Sequence, residues 1–482
     1  MTTKGVSNGL KFVFDLYLGL VVFVSLVILV YIGFTNQAVH EGVFNKTLMA
    51  ALFVTLISGT LFFFRGQYRI NAALIHFSVV FSLFLVNLLL EIPVTFLSER
   101  EVAAFRMGKK FDRRGKYQVL DDLKKQNIQA YPAALFPVFV SDEAFFRKKF
   151  GLDFEKWLPL NGIARAETII CNESGEWALY SSDRYGFNND DQVYEEKKGS
   201  VLLLGDSFVH GSCVAQKDTI AGNLRSRGYK AISLGMGGSG PLSELATLKE
   251  YGKYLKPKVI LWFFYEVNDY ADLQKEYNFL PLKKYLETGH TQGLFQRQAE
   301  VDRFWIDFFN KAKSYSINEY KGIPDSEKVA RAEFNGLMRR MGSLHNVRKF
   351  LGLSRSGYLF EGADTGHSNE VDAMFTGVMR AAKEEARSLG SELYFVRLPA
   401  LGHFLNPKTR MTSAFEGSHK VIAELGIPVI DFYEDLKNAG DPKDFFPLRT
   451  EGHYNPKGYA LLGEAVERTS LKGRGLLEKE FK

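Results

Sequence analysis

A chain of 482 residues is longer than one ordinary domain, and its formal charge of +6 and 46% apolar content are both unevenly spread. Three apolar runs fall before residue 98, while residues 98–482 are mixed and polar, ample for a large buried core. Two cysteines are too few for a disulfide scaffold, and the lack of a basic stripe with interleaved aromatics argues against nucleic acid as a partner.

The first elements are apolar. Leu16 to Phe34, Thr47 to Phe64 and Ile70 to Leu90 carry no charge, and at about 1.5 Å per residue each reaches roughly 27–32 Å, the thickness of a bilayer core. Residues 1–97 therefore read as a three-helix transmembrane segment, with helices at about 14–34, 47–64 and 70–92 and a lipid bilayer as partner. A cleaved signal peptide fits poorly, because the first run is long and two more follow. His76 and Asn87 in the third run are expected to bond between helices. Next comes a basic cluster: between Glu99 and Lys116, seven positive residues face three negative ones. Beside a membrane such a cluster attracts anionic headgroups; elsewhere it is a solvated face. Residues 98–160 read as a charged, helical juxtamembrane stem.

From about residue 161 the texture changes to short aliphatic runs alternating with helical patterns. VLLLG (201–205), AISLG (231–235), VILWFFY (259–265), ELYFVRL (392–398) and PVIDFY (428–433) have the look of strands buried on both faces of a parallel sheet. Amphipathic stretches lie between them, which predicts an α/β, doubly wound sheet with helices on both faces over 161–482. Residues 271–368 interrupt the alternation and read as a helical insertion. Cys171 and Cys213 are either a pair or two buried thiols.

Three strand ends carry unusual residues, and in such sheets functional groups gather there. The first ends in Gly205-Asp206-Ser207, a serine at a helix entry where backbone N–H groups converge. The second ends in SLGMGGSGP, whose Gly237 and Gly238 allow close approach to a ligand. The third ends in Tyr265-Glu266-Val267-Asn268-Asp269, with the Asn268 amide as a donor. Late in the chain, His453 precedes Asn455-Pro456 and a helix. Together they offer a nucleophile, a base and oxyanion donors, the parts of acyl transfer. Each alone has a structural reading: a cap, a turn, a buried histidine. Their order and setting favour the chemistry.

The ordered set resembles the SGNH (GDSL-like) hydrolases. VLLLGDSFVHG is similar to block I, SLGMGGSGP to block II, WFFYEVNDY to block III and EGHYNPKGY to block V, and SSDRYGFNND resembles the lead-in hairpin of bacterial, envelope-linked members. The resemblance implies Ser207 as nucleophile and His453 as base. It implies an oxyanion hole of the Ser207 and Gly238 N–H groups with Asn268, and Asp206 as a structural partner of the nucleophile loop. Block V departs from the pattern, since Thr450 stands where an aspartate is usual. Glu451 is then the expected orienting carboxylate, with a Ser-His dyad as the alternative. Glu266 replaces the block III glycine. His210 is read as packing at the pocket rim. The implied activity is a serine esterase acting on an acylated small molecule or glycan. A polysaccharide O-acyltransferase and an inactive glycan-binding protein remain alternatives. Neither a cofactor nor a metal is expected. Charge counting leaves the membrane orientation open, and the resemblance favours an extracytoplasmic catalytic domain.

Overall fold

The computed structural model describes residues 66–313, 368–405 and 413–476, apart from short gaps, with isolated positions between 9 and 63. They fall in two compact units. One includes Met1–Phe96; the other comprises Leu97–Pro324 and Gly357–Lys482.

In the first unit, α1 (Gly66–Phe96) contains a 20-residue apolar window, Ile70–Leu89, long enough to cross a membrane. Phe77, Phe81 and Leu85 on it are exposed, as suits an apolar surrounding. Among the described residues this is the one such helix. The runs at 14–34 and 47–64 lie almost wholly outside the described residues. The Tyr17 hydroxyl stands 3.0 Å from His76 Nδ1, joining two separate stretches of helix as expected, and Asn87 is buried.

The second unit opens with α2 (Glu99–Arg106), begun by a capping box between Ser98 and Glu101, and α3 (Lys116–Lys125). β1 (Ala130–Pro132) runs parallel to β2 (Glu167–Ile169), which pairs antiparallel with β3 (Leu179–Ser181). Residues 98–160, expected as a stem, belong to this body: Phe139, Phe146, Phe150 and Phe154 join its main core, where Phe139 stacks on Trp305. An aromatic cluster of this size cannot stay in water.

The principal sheet is five-stranded and wholly parallel. Its strands are β4 (Ser200–Leu204), β5 (Lys230–Ser233), β6 (Pro257–Tyr265), β7 (Glu392–Leu398) and β8 (Val429–Asp431), in the order β5-β4-β6-β7-β8. Side chains alternate between two cores: Leu202, Leu204, Ile260, Trp262 and Phe264 enter one, and Val201, Leu203, Val259, Leu261 and Phe263 the other. Such strands must be apolar throughout, which is why their sequence runs show no alternation. The helices that matter below follow in chain order: α4 (Ser207–His210), α5 (Ile220–Ser226), α6 (Pro241–Leu255), α7 (Asp269–Tyr277), α8 (Gln298–Lys313), α9 (Asn369–Ser388), α10 (Leu401–Leu405), α11 (Ser413–Glu424) and α12 (Pro456–Val466). α6, α7, α8, α9 and α11 cover one face, α5 and α12 the other, so the α/β sheet with helices on both faces is observed. The span read as an insertion starts inside α7 and contains α8, both built into the main core; residues 314–367 lie outside the described part. The chain reverses its strand order beside β4, so a crevice opens at the carboxyl ends of β4, β5 and β6.

Glu266, where the resemblance has glycine, is fully buried at the end of β6. It contacts Arg397 at 3.2 Å and His403 Nδ1 at 2.5 Å, and Arg397 also reaches Asp431 on β8 and stacks over Phe415. The departure is therefore a buried ion network tying three strand ends. Replacing Glu266 by alanine removes the fully buried carboxylate that faces the Arg397 guanidinium and should cost about 3–5 kcal/mol. A lower urea midpoint with an unchanged slope is the expected reading.

Candidate active site

β4 delivers the turn that carries Ser207. Asp206 caps α4, its Oδ1 accepting the Phe208 N–H at 2.9 Å, and Ser207 becomes the first helical residue, whose own N–H has no intrahelical acceptor. The end of β5 presses on this turn: a Cβ at Gly235 would come within 2.4 Å of His210 N, so glycine is required there. His453 arrives from the segment before α12, where Asn455 accepts the Lys457 and Gly458 N–H groups and Pro456 starts the helix. Its Nε2 lies 2.7 Å from Ser207 Oγ, and the Phe208 ring packs 4.9 Å from the imidazole. Ser207 Oγ is also 3.2 Å from Asp206 Oδ2.

The carboxylate at the other side of the imidazole is Glu173. Its Oε2 is 3.2 Å from His453 Nδ1, short of full hydrogen-bond alignment, and accepts the His453 backbone N–H at 2.9 Å; Oε1 accepts Arg100 Nη2 at 2.7 Å. Burial alone would raise this carboxyl. The His453 and Arg100 contacts outweigh it and hold the group at about 2. A proton on Nδ1 facing an ionised Glu173 leaves the Nε2 lone pair for the serine hydroxyl.

Glu451 does not orient His453. Its carboxylate accepts the Leu401 and Gly402 N–H groups at 3.2 and 3.1 Å, at the start of α10, and burial raises it to about 7. A glutamate two residues before the histidine thus serves two backbone amides at a helix start instead of the ring. Thr450 turns away as well, donating to Pro447 O at 3.0 Å.

Gly238 lines the cavity with φ +78, a conformation that favours glycine, and its N–H makes no hydrogen bond with the described residues. The neighbouring Gly237 N–H donates to His210 Nδ1 at 3.1 Å, while His210 Nε2 meets the Tyr180 hydroxyl at 2.8 Å. Burial pushes His210 down to about 3, so it is neutral and holds the glycine loop from beneath. Asn268 differs from expectation: its amide donates to Asp272 Oδ2 at 2.9 Å and reaches Asp206 Oδ2 at 3.4 Å. Two carboxylates are stronger acceptors than anything the open cavity offers, so the amide turns to them.

Cys171 and Cys213 are bonded to each other. The bond fastens the β2–β3 loop, which carries Glu173, to the segment just after α4. Cys213 Sγ lies within 4.8 Å of the Glu173 and His453 ligand atoms, but as half of a disulfide it offers no thiolate, and the trio does not make a metal set. A cavity of about 400 Å³ opens over Ser207, His453, Gly237, Gly238 and His210, with Cys171, Lys116 and Asp272 on its walls. Sequence reasoning missed Glu173 and Arg100. No local spacing marks either; the sole pointer was the cysteine two residues before Glu173.

No family model matches the sequence, and no curated protein matches it. A solved structure, the lipase/acylhydrolase from Enterococcus faecalis, is similar over 56% of this chain and 94% of its own, with 15% identity and a TM-score of 0.29. A likeness that loose leaves the site to be read from its own geometry.

Two predictions separate the carboxylates. Glu173→Gln should slow labelling of Ser207 by a fluorophosphonate by about two to four orders of magnitude, as loss of an orienting carboxylate does in serine hydrolases, whereas Glu451→Gln should change it by only a few fold. Equal effects would remove Glu173 from the site. The depressed Glu173 carboxyl contributes stability that is complete above its ordinary range near 4.5 and is lost as pH falls towards about 2. Chemical denaturation between pH 2 and 5 should therefore show a flatter pH dependence in Glu173→Gln than in the parent.

Proposed function

We propose that the chain is a serine esterase that removes acyl groups from a cell-envelope carbohydrate, working through Ser207, His453 and Glu173. The single observation carrying this reading is the 2.7 Å contact between His453 Nε2 and Ser207 Oγ, made by residues 246 positions apart. In the proposed cycle His453 takes the Ser207 proton as Oγ bonds to the ester carbonyl carbon. The Ser207 and Gly238 N–H groups receive the oxyanion, and Glu173 stabilises the imidazolium. Collapse breaks the ester C–O bond, and His453 returns its proton to the leaving alcohol. Water then repeats the sequence on the acyl-enzyme, releasing the acid and restoring Ser207. Asn268 enters as a third oxyanion donor if its amide leaves Asp272 during the reaction. None of these steps calls on a metal or nucleotide.

The apolar helix α1 and the disulfide support a membrane-anchored catalytic domain facing an oxidising, extracytoplasmic compartment, since disulfides persist there. An acyl acceptor other than water would make the same site a transferase.

Ser207→Ala should abolish release of acetate from an O-acetylated glycan, and a bulkier Gly238→Val should reduce it by about 10²–10³, the usual cost of a lost oxyanion donor. Acetate release by Ser207→Ala at the parent rate would end the proposal. Transfer of labelled acetyl to an added glycan, in place of free acetate, would reassign the second half-reaction.

A further inference from the structure

The same cavity holds a cation that acyl transfer does not use. Lys116 is the first residue of α3, half-buried, and lines the cavity beside Ser207, His453 and Gly238. It forms no ion pair or hydrogen bond with the described residues. Three physical effects oppose an ammonium there. Burial strips it of water and holds its pKa below the usual lysine range. The first turn of α3 has no acidic residue, so the positive end of the helix dipole adds repulsion. His210, on the cavity wall, feels the charge of both Lys116 and His453, so an imidazolium formed in turnover would add a like charge nearby. Asp272 is the one carboxylate among the lining residues, and it is already engaged by the Asn268 amide at 2.9 Å and by Lys275 at 2.8 Å. A desolvated charge with no partner among the described residues is relieved when a ligand brings one.

We propose that Lys116 anchors a subsite for a singly charged anionic group, so that the ester opened at Ser207 belongs to an acidic sugar, an O-acylated uronate. This deepens the esterase reading and rests on it. One ammonium without a guanidinium fork matches a carboxylate; a phosphate dianion is better served by several donors or by arginine. The anion would neutralise Lys116 on binding and would fix the sugar with its acyl ester over Ser207.

The test uses the full chain in detergent and three esters: mono-O-acetyl methyl glucuronoside, the matching methyl glucoside, and the methyl glucoside hemisuccinate, whose charge lies on the acyl side. The ratio of kcat/KM for the glucuronoside to that for the neutral glucoside should exceed one in the parent and shrink as salt is raised. Lys116→Met should lower that ratio by about tenfold or more, through KM, the effect of losing a hydrogen bond to a charged group. Lys116→Arg should keep most of it, and Lys124→Met, exposed at the far end of α3, should leave it unchanged. An identical ratio in the parent and Lys116→Met overturns the subsite; preference for the hemisuccinate over the glucuronoside overturns the acidic-sugar assignment. Binding is measured separately, by calorimetric titration of Ser207→Ala with the acetylated glucuronoside. Affinity that falls about tenfold when Lys116→Met is added supports the subsite even without turnover in the parent. Affinity indifferent to Lys116 overturns it even if the parent is active.

Discussion

A buried carboxylate that stays charged is the constraint around which this site is assembled. Glu173 accepts the backbone N–H of His453, faces its Nδ1 and receives Arg100, so one side chain fixes both the position and the turn of the imidazole. A desolvated carboxylate is tolerated only with such partners, and removing any one would push the proton back onto it. Arg100 comes from α2, Glu173 from the β2–β3 loop, Ser207 from the end of β4 and His453 from the approach to α12. The contact thus closes a ring of segments that have no sequence proximity.

Behind Ser207 the electrostatics run the other way. Glu244 and Asp269 are fully buried and raised well above ordinary carboxyls by desolvation and by neighbouring acids; Glu276 is raised to about 7 by the same cause. Neither oxygen of Glu244 has a partner among the described residues, so the protonated form is the one that burial favours. Glu276 instead caps α6, accepting from the Gly240 and Leu242 N–H groups. The wall behind Ser207 is therefore kept low in charge, while Asp206 receives the Phe208 N–H and the Asn268 amide. A Ser207 turn backed by carboxyls whose charged form burial disfavours leaves the ionised Glu173 as the carboxylate facing His453, where the proposed reaction develops charge.

Much of the fold was legible because its signals are local. Strands buried on both faces must be largely apolar, and VLLLG and VILWFFY are so throughout, while ELYFVRL carries the one buried charge of Arg397; the turns after the strands had to carry small or polar residues, and GDS, GMGG and EVND do. The convergence of Ser207, Gly238 and His453 follows from that topology. What stayed hidden depends on distance. The charged face at 98–116 could not announce that Arg100 would reach Glu173, because ion pairing across 73 residues leaves no period in the sequence. The stem reading failed for a related reason: Phe139, Phe146 and Phe154 are spaced like an ordinary amphipathic stretch, and only the partner helix at 298–313 makes them core. Glu451 looked suitable by spacing alone, yet two backbone amides of α10 claim it.

The carboxylate that faces His453 comes from a loop 280 residues away, and that changes what keeps the site in order. An aspartate three residues before the histidine would ride on the same turn and need no further support. Here the turn before His453 passes through Leu448 and Arg449 at positive φ, conformations that non-glycine residues adopt at a cost, and Arg449 is held there by Asp441 and Asp444. The distant acid needs its own tether, and the Cys171–Cys213 bond supplies it by closing a 42-residue separation, which restricts the unfolded chain by about 4 kcal/mol in the loop-entropy account. Glu173 follows Cys171 by two residues, so the tether acts almost at the carboxylate itself. The geometry around His453 is then conditional on an oxidised disulfide and on the docking of residues 98–181, the part of the body that follows the apolar helix in sequence. Docking of residues 98–181 and completion of the site around Ser207 and His453 are thereby coupled.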